Sequence, residues 1–337
     1  MKIGLPNGRS TAMNPYTLKQ NEDIRTVSIA KYTGTDVYLE IPEEIGGFRV
    51  TGILPRAFAG GQMRSVRFPE SLEHIEHHAF TECRSLQKVD FPVHLRSVGN
   101  YAFYNCETLE YLHLTPYIKD MGFCAFCNCE RLSRIVQDKV PGGTLSLKGI
   151  IDDLKQRIHV EIRYYESGQY PDGPARTARI TFPEYSQMVT GNVISTNRQS
   201  IVDENGSGQQ IRFCLGNDDI DYDLYDSKFW KMKSSDSFDS VLLSAFERLM
   251  FPYLLKPAAE KAYREYLSEH ALQAGLKFLQ EDDFEKFSFL VKLDLMDKDL
   301  VNTLIDRAVV QRKAEYTAFL MQYFRGRFGA AEDTFEL

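Results

Sequence analysis

The sequence has no G-x-G-x-x-G after a strand-like run, no G-x-x-x-x-G-K-[ST], no G-x-S-x-G and no H-E-x-x-H. Each of these motifs uses local backbone geometry to present a phosphate cradle, a nucleophile or a pair of metal ligands, and the chain offers none of them. A non-enzymatic protein is therefore expected. No apolar run approaches eighteen residues, too short for a membrane-spanning helix. Met1 to Lys19 carry Gly, Pro, Asn, Arg and Ser where a secretory signal would have an apolar stretch. With Met1 as the native start, a cytoplasmic protein is expected; the alternative is a cell-surface protein whose upstream signal sequence was removed.

Positive charge has no stretch of its own. Residues 41–140 hold 11 Lys and Arg against 12 Asp and Glu, residues 217–337 hold 16 against 23, and the net charge is −7. A phosphate backbone would find little to neutralise, so nucleic acid is not expected as a partner. Cysteine is sparse, six in 337 residues, and three of the six sit where a small apolar side chain is wanted, which favours reduced buried thiols over a disulfide framework.

What the sequence does have is a repeat. Val66, Phe68, Pro69, Leu72, Ile75, Ala79, Phe80, Cys83 and Leu86 are followed by Val89, Phe91, Pro92, Leu95, Val98, Ala102, Phe103, Cys106 and Leu109. A third copy runs through Leu112, Leu114, Pro116, Ile118, Met121, Ala125, Phe126, Cys129 and Leu132. With Ala57-Phe58 the Ala-Phe pairs recur at intervals of 22, 23 and 23, inside the leucine-rich range and too short for ankyrin or tetratricopeptide units. Apolar residues at alternate places, as in Val89 and Phe91, fit strands with one buried face. Coils stacked about 4.8 Å apart lay like on like, so Phe80, Phe103 and Phe126 should form one column and Cys83, Cys106 and Cys129 another. A short solenoid has open ends, so the flanking segments should cap it.

These residues resemble the BspA-type leucine-rich repeat, I-P-x-x-V-x-x-I-G-x-x-A-F-x-x-C-x-x-L-x-x-V. Tyr32-Thr33-Gly34, Ile41 to Gly47 and Val50 to Ile53 resemble the usual first coil, and the resemblance covers about residues 28–137. Gly61 at the first Cys position, Leu54-Pro55 and Thr115-Pro116 depart from the pattern. The resemblance implies a right-handed solenoid of short parallel strands and a protein that binds other macromolecules, including an exported surface adhesin that binds host or matrix macromolecules as an alternative role.

The expected architecture is α+β and multidomain. An N-terminal arm or cap (1–27) precedes the leucine-rich repeat solenoid (28–140), a small β-rich domain (141–216) and an all-α C-terminal domain (217–337). In the β-rich part, His159 to Tyr165 and Ala178 to Phe182 read as a hairpin with a long loop, and Ile211 to Leu215 as a further strand. From Tyr225 helical periodicity takes over, with candidates from Phe238 to near Pro252 and at 257–269, 271–279, 283–293, 298–310 and 314–324. The last four resemble ankyrin-like helix pairs about 31 residues apart, with Phe284 and Phe287 matched by Tyr316 and Phe319. Residues 325–337 read as a frayed tail.

Three clusters invite chemistry. Asp219, Asp221 and Asp223 mimic the opening of a calcium loop, but the sixth and twelfth places are Leu224 and Trp230 instead of Gly and a carboxylate; an acidic helix start is expected instead. His74, His77 and His78 fall at variable repeat positions facing solvent. Cys124, Cys127 and Cys129 spell C-x-x-C-x-C, yet Cys129 belongs to the repeat column and structural zinc takes four ligands. No metal or cofactor is expected; a metal-binding protein or enzyme centred on these three is the alternative. The surface a solenoid does offer is its row of outward strand positions: Arg67, Lys88, Asp90, Tyr111, His113 and Arg134. Arg and Tyr are enriched at protein hot spots, so this face is the expected binding surface for a protein partner, against the plain alternative of a solvated sheet.

Overall fold

Runs of two to seven residues with one apolar face cannot stand alone, and the first part of the chain buries them by coiling. The computed structural model describes residues 14–190, 201–216 and 218–329. Residues 1–13 of the expected arm and 330–337 of the expected tail lie outside the described residues. The chain divides into two compact units, one ending at Ser240 and one beginning at Val241.

In chain order the solenoid strands are β1 (Tyr16–Gln20), β2 (Thr26–Tyr32), β3 (Tyr38–Glu40), β4 (Glu44–Ile45), β5 (Phe48–Ile53), β6 (Ser65–Arg67), β7 (His74–Ile75), β8 (Lys88–Asp90), β9 (Ser97–Val98), β10 (Tyr111–Leu114), β11 (Asp120–Met121) and β12 (Arg134–Lys139). Helix α1 (Lys148–Ile151), β13 (Ile158–Tyr164), β14 (Arg176–Phe182), β15 (Ser186–Thr190), β16 (Ile201–Asn205) and α2 (Gly208–Arg212) follow. Each coil gives one strand to each of two sheets, ordered β1-β2-β5-β7-β9-β11 and β14-β13-β12-β10-β8-β6-β3, while β15 and β16 pair with each other.

The columns form as the spacing predicts. Phe80 and Phe103, and Phe103 and Phe126, stack at 5.1 Å with rings 1° from parallel. Phe58 continues the file below at 4.8 Å, and Tyr32 below that at 5.2 Å. Cys83, Cys106 and Cys129 are free and buried, and each thiol donates to the carbonyl of the Phe one coil earlier, at 3.2, 3.3 and 3.3 Å. That bond explains Cys in this column instead of Ala or Val. The neighbouring Cys106 thiol and burial push the Cys83 thiol up, so it stays neutral and inert.

The backbone repeats too. Arg56, His78, Tyr101 and Cys124 all have φ between 51° and 59°, a left-handed turn that each coil makes just before its Ala-Phe pair. Gly122 precedes one of these turns with no room for a side chain: a Cβ there would lie 2.3 Å from the Asn100 nitrogen of the coil below.

One end of each sheet is closed by an antiparallel strand, β1 against β2 in the first and β14 against β13 in the second. Residues 16–20, inside the segment expected as an N-terminal arm or cap, are thus a capping strand. The hairpin read at 159–182 is present, and its first strand also pairs in parallel with β12, so it continues the solenoid sheet. Ile211 to Leu215 is not a strand. Ile211, Cys214 and Leu215 are buried and Phe213 is 71% exposed, a three-to-four spacing that belongs to the turn of α2.

Helices α3 (Tyr222–Ser227) and α4 (Phe229–Ser235) follow, then α5 (Phe238–Met250), α6 (Pro257–Glu269), α7 (Ala271–Glu281), α8 (Phe284–Lys292), α9 (Lys298–Val310) and α10 (Ala314–Phe328). Asp221 caps α3 by accepting from Leu224 N at 2.9 Å, the role expected of the acidic lead-in, and Asp283 and Asp297 cap α8 and α9 the same way. In the second unit Phe284 packs edge-on against Tyr316 at 5.1 Å and Phe319 at 5.5 Å, and Phe287 against Tyr316 at 4.8 Å. Phe284 and Tyr316, matched 32 positions apart, are therefore contact partners in one core.

Candidate functional site

The register of the sheet that runs from β3 to β14 decides which side chains are neighbours along it. One row runs Tyr38, Ser65, Lys88, Tyr111, Arg134, His159 and Thr181, and the next runs Glu40, Arg67, Asp90, His113, Val136, Glu161 and Arg179. All six residues expected at the binding face fall in these two rows, Lys88, Tyr111 and Arg134 in the first and Arg67, Asp90 and His113 in the second. His159, Glu161, Arg179 and Thr181 were missed because β13 and β14 were read as a separate unit. Their alternation was visible in the sequence, but not their place beside β12.

Opposite charges meet across strands and along one strand. Arg67 lies 3.4 Å from Glu40, and Lys88 lies 2.9 Å from Asp90. Asp90 holds the Lys88 ammonium above its ordinary value, so it stays charged at neutral pH. Tyr111 sits between two cations, with Lys88 Nζ 4.8 Å and Arg134 Cζ 5.8 Å from its ring centre. The ring is thereby held between its two neighbours in the row. His113 Nε2 is 2.8 Å from Asp138 Oδ2 and its Nδ1 3.8 Å from Asp90. Arg67 is 79% exposed and Arg134 58%, so the end of the face from β3 to β12 is open to a partner.

The other end is a packed ionic cluster. Glu161, 8% exposed, accepts from Arg163 Nε at 2.7 Å and Arg179 Nε at 2.9 Å. Burial alone would raise its carboxyl, but the two guanidinium groups hold it below the usual glutamate range. A depressed folded-state pKa means a contribution present above the unfolded pKa and lost as pH falls through the folded one. Glu161→Gln is therefore expected to cost about 2 kcal/mol at pH 7, below the full buried-pair penalty because both arginines are a third exposed. Urea unfolding should show the gap from the parent protein closing below about pH 4.

The three cysteines of the C-x-x-C-x-C do not converge. Cys129 stays in the column, whereas Cys124 and Cys127 are joined as a disulfide, a link the sequence reading did not foresee. His74 bonds Ser97 Oγ at 2.9 Å and His78 stacks on Tyr101, so the histidines do not converge on one point either.

Residues 51–140 match the BspA type leucine rich repeat region family in six copies. No curated protein sequence matches the chain. Among solved structures, the chain is similar to the leucine rich repeat protein of T. pallidum, at 23% identity over 40% of this chain and 76% of that one, with a TM-score of 0.32. A leucine-rich repeat protein from Bacteroides capillosus matches at 26% identity, 33% of this chain, 86% of that one and a TM-score of 0.30. A leucine rich cell surface protein from Faecalibacterium prausnitzii matches at 19%, 40%, 56% and 0.26. Among the described residues no helix is long and apolar enough to cross a membrane.

Proposed function

We propose, from the premise that residues 51–140 are a BspA-type leucine-rich repeat region, that this protein is a non-enzymatic interaction module that binds a protein partner through the outward face of the sheet that runs from β3 to β14. Leucine-rich repeat regions are protein-interaction modules in general, and the observation that carries the reading here is the run of exposed and half-buried outward side chains across five neighbouring strands, β3, β6, β8, β10 and β12. Arg67, Lys88, Asp90, Tyr111, His113 and Arg134 are the contact residues of its open end. The face is mixed in charge, with Tyr111 as a rigid aromatic centre between two cations, a composition suited to a partner surface that is itself polar with an aromatic or aliphatic anchor. The helical domain adds a second surface to the same scaffold. The adhesin reading differs only in where the partner is met.

The test is affinity capture from the source lysate, or against host and matrix protein for the surface role, with the parent protein and with Arg67→Glu, Tyr111→Ala and Arg134→Glu combined. All three positions are outward, so circular dichroism should be unchanged. Recovery of the captured partner should fall on the order of tenfold or more, as loss of a hot spot does. Equal recovery of every partner by both proteins would remove the face from the binding site.

A further inference from the structure

Outside this face, one cluster of side chains is not explained by the repeat. Cys124 and Cys127 flank the Ala125-Phe126 pair, where the two preceding coils carry His78 and Thr81, then Tyr101 and Tyr104. The coil therefore does not need sulfur at either place. Asp153, two residues beyond the end of α1, lies against them: its Oδ1 is 4.0 Å from Cys124 Sγ. One ligand atom from each of Cys124, Cys127 and Asp153 lies within 4.8 Å of the others. The second carboxylate oxygen, Oδ2, is buried and has no hydrogen-bond partner. A buried carboxylate oxygen without a donor is costly, and in a native fold it marks a place where a cation or a proton donor belongs.

We propose that the reduced Cys124-x-x-Cys127 pair, together with Asp153, binds one thiophilic divalent cation of the zinc class. Two thiolates from a single turn at C-x-x-C spacing are half of a tetrahedral site, and the carboxylate is the third ligand, brought from 26 residues further along the chain. All three residues are partly exposed, so the fourth position opens to water or to a ligand from a partner. This is not the C-x-x-C-x-C site considered from sequence, because Cys129 is committed to the Phe103 carbonyl.

The disulfide and the metal are exclusive states of the same two sulfurs. A dithiol reductant opens the disulfide through a mixed disulfide: the reductant loses two electrons and becomes a disulfide, and the two cysteines gain them and take up two protons. Binding of the cation then releases those thiol protons to solvent as both sulfurs become thiolates.

Full-length protein, reduced by a dithiol and freed of it under anaerobic conditions, is titrated with Co²⁺, whose thiolate charge-transfer absorption reports sulfur ligation, and then with Zn²⁺ in competition. Six thiols counted in denaturant certify reduction. The expected result is one equivalent of Co²⁺ with charge-transfer intensity, displaced by Zn²⁺, and none in the oxidised protein. Cys124→Ser with Cys127→Ser should abolish the absorption. So should Cys124→Tyr with Cys127→Tyr, which installs the residues of the preceding coil and so preserves its packing. Asp153→Asn should weaken binding about tenfold or more, in the range by which supporting groups change metal affinity. The proposal is overturned by fully reduced protein that shows no charge-transfer absorption, by the same absorption in both cysteine double variants, or by unchanged affinity in Asp153→Asn.

Discussion

Phe103→Ala should remove about 3–5 kcal/mol of stability from the first unit, the range for truncating a buried aromatic. The ring is fully buried and stacked on both faces, by Phe80 and by Phe126. The cost of such a truncation depends on whether the neighbours can move into the space. Here they cannot, because the coils are held apart by backbone hydrogen bonds that the substitution leaves in place, Phe80 N to Ala102 O at 2.7 Å and Phe103 N to Ala125 O at 2.8 Å. The cavity should stay open, and the midpoint of thermal unfolding should fall by roughly 10 °C. Phe123→Ala, at a ring 67% exposed on the turn of the next coil, should cost less than about 0.5 kcal/mol. A loss below about 1 kcal/mol for Phe103→Ala would mean that the column is not what holds coil to coil.

The second large effect is expected at Arg212. Its side chain is buried, and its three nitrogens donate to four backbone carbonyls: Ile151 at 3.2 Å, Leu154 at 3.0 Å, Pro183 at 3.2 Å and Gly208 at 2.6 Å. Those oxygens belong to the end of α1 and the turn after it, the exit of β14 and the start of α2, so one guanidinium joins three segments that close the solenoid. Burial pulls its pKa down to about 10, which still leaves it charged at neutral pH, with the Tyr185 ring 4.5 Å away. Arg212→Met keeps the bulk and removes every donor, stranding buried carbonyls, and is expected to cost about 3 kcal/mol. Arg212→Lys should recover only part of that, since one ammonium cannot reach in four directions. Urea unfolding measures both, and a Met variant as stable as the parent would show that this end of the solenoid closes without the arginine.

Much of the solenoid was legible because its signal is local and repeated. Ala79-Phe80, Ala102-Phe103 and Ala125-Phe126 at a spacing of 23 specify coil length, and alternate apolar residues such as Leu112 and Leu114 specify which face is buried. From those two facts the outward positions of Arg67, Tyr111 and Arg134 follow. Helix ends were legible where a residue has a backbone reason to be there, as with Pro257 opening α6 and Asp297 capping α9.

What was missed depends on which segments meet, and periodicity carries no information about that. The alternation in His159 to Tyr165 says that a strand has one buried face, not that β12 lies beside it. Glu161 and Arg179 consequently looked unrelated to the row that they complete. The same holds for Asp153, whose position in sequence gives no hint of Cys124. Ile211 to Leu215 misled for a different reason: in five residues a strand and a helical turn bury nearly the same positions.

The most direct measurement of the central claim is photo-crosslinking with a reactive aromatic residue placed at Tyr111, on the outward strand row, or at Tyr104, on the turn of the preceding coil, in otherwise intact protein. A discrete adduct with the captured partner from position 111 and none from position 104 is the predicted result. An adduct from position 104 alone would put the binding surface on the turns and contradict the account.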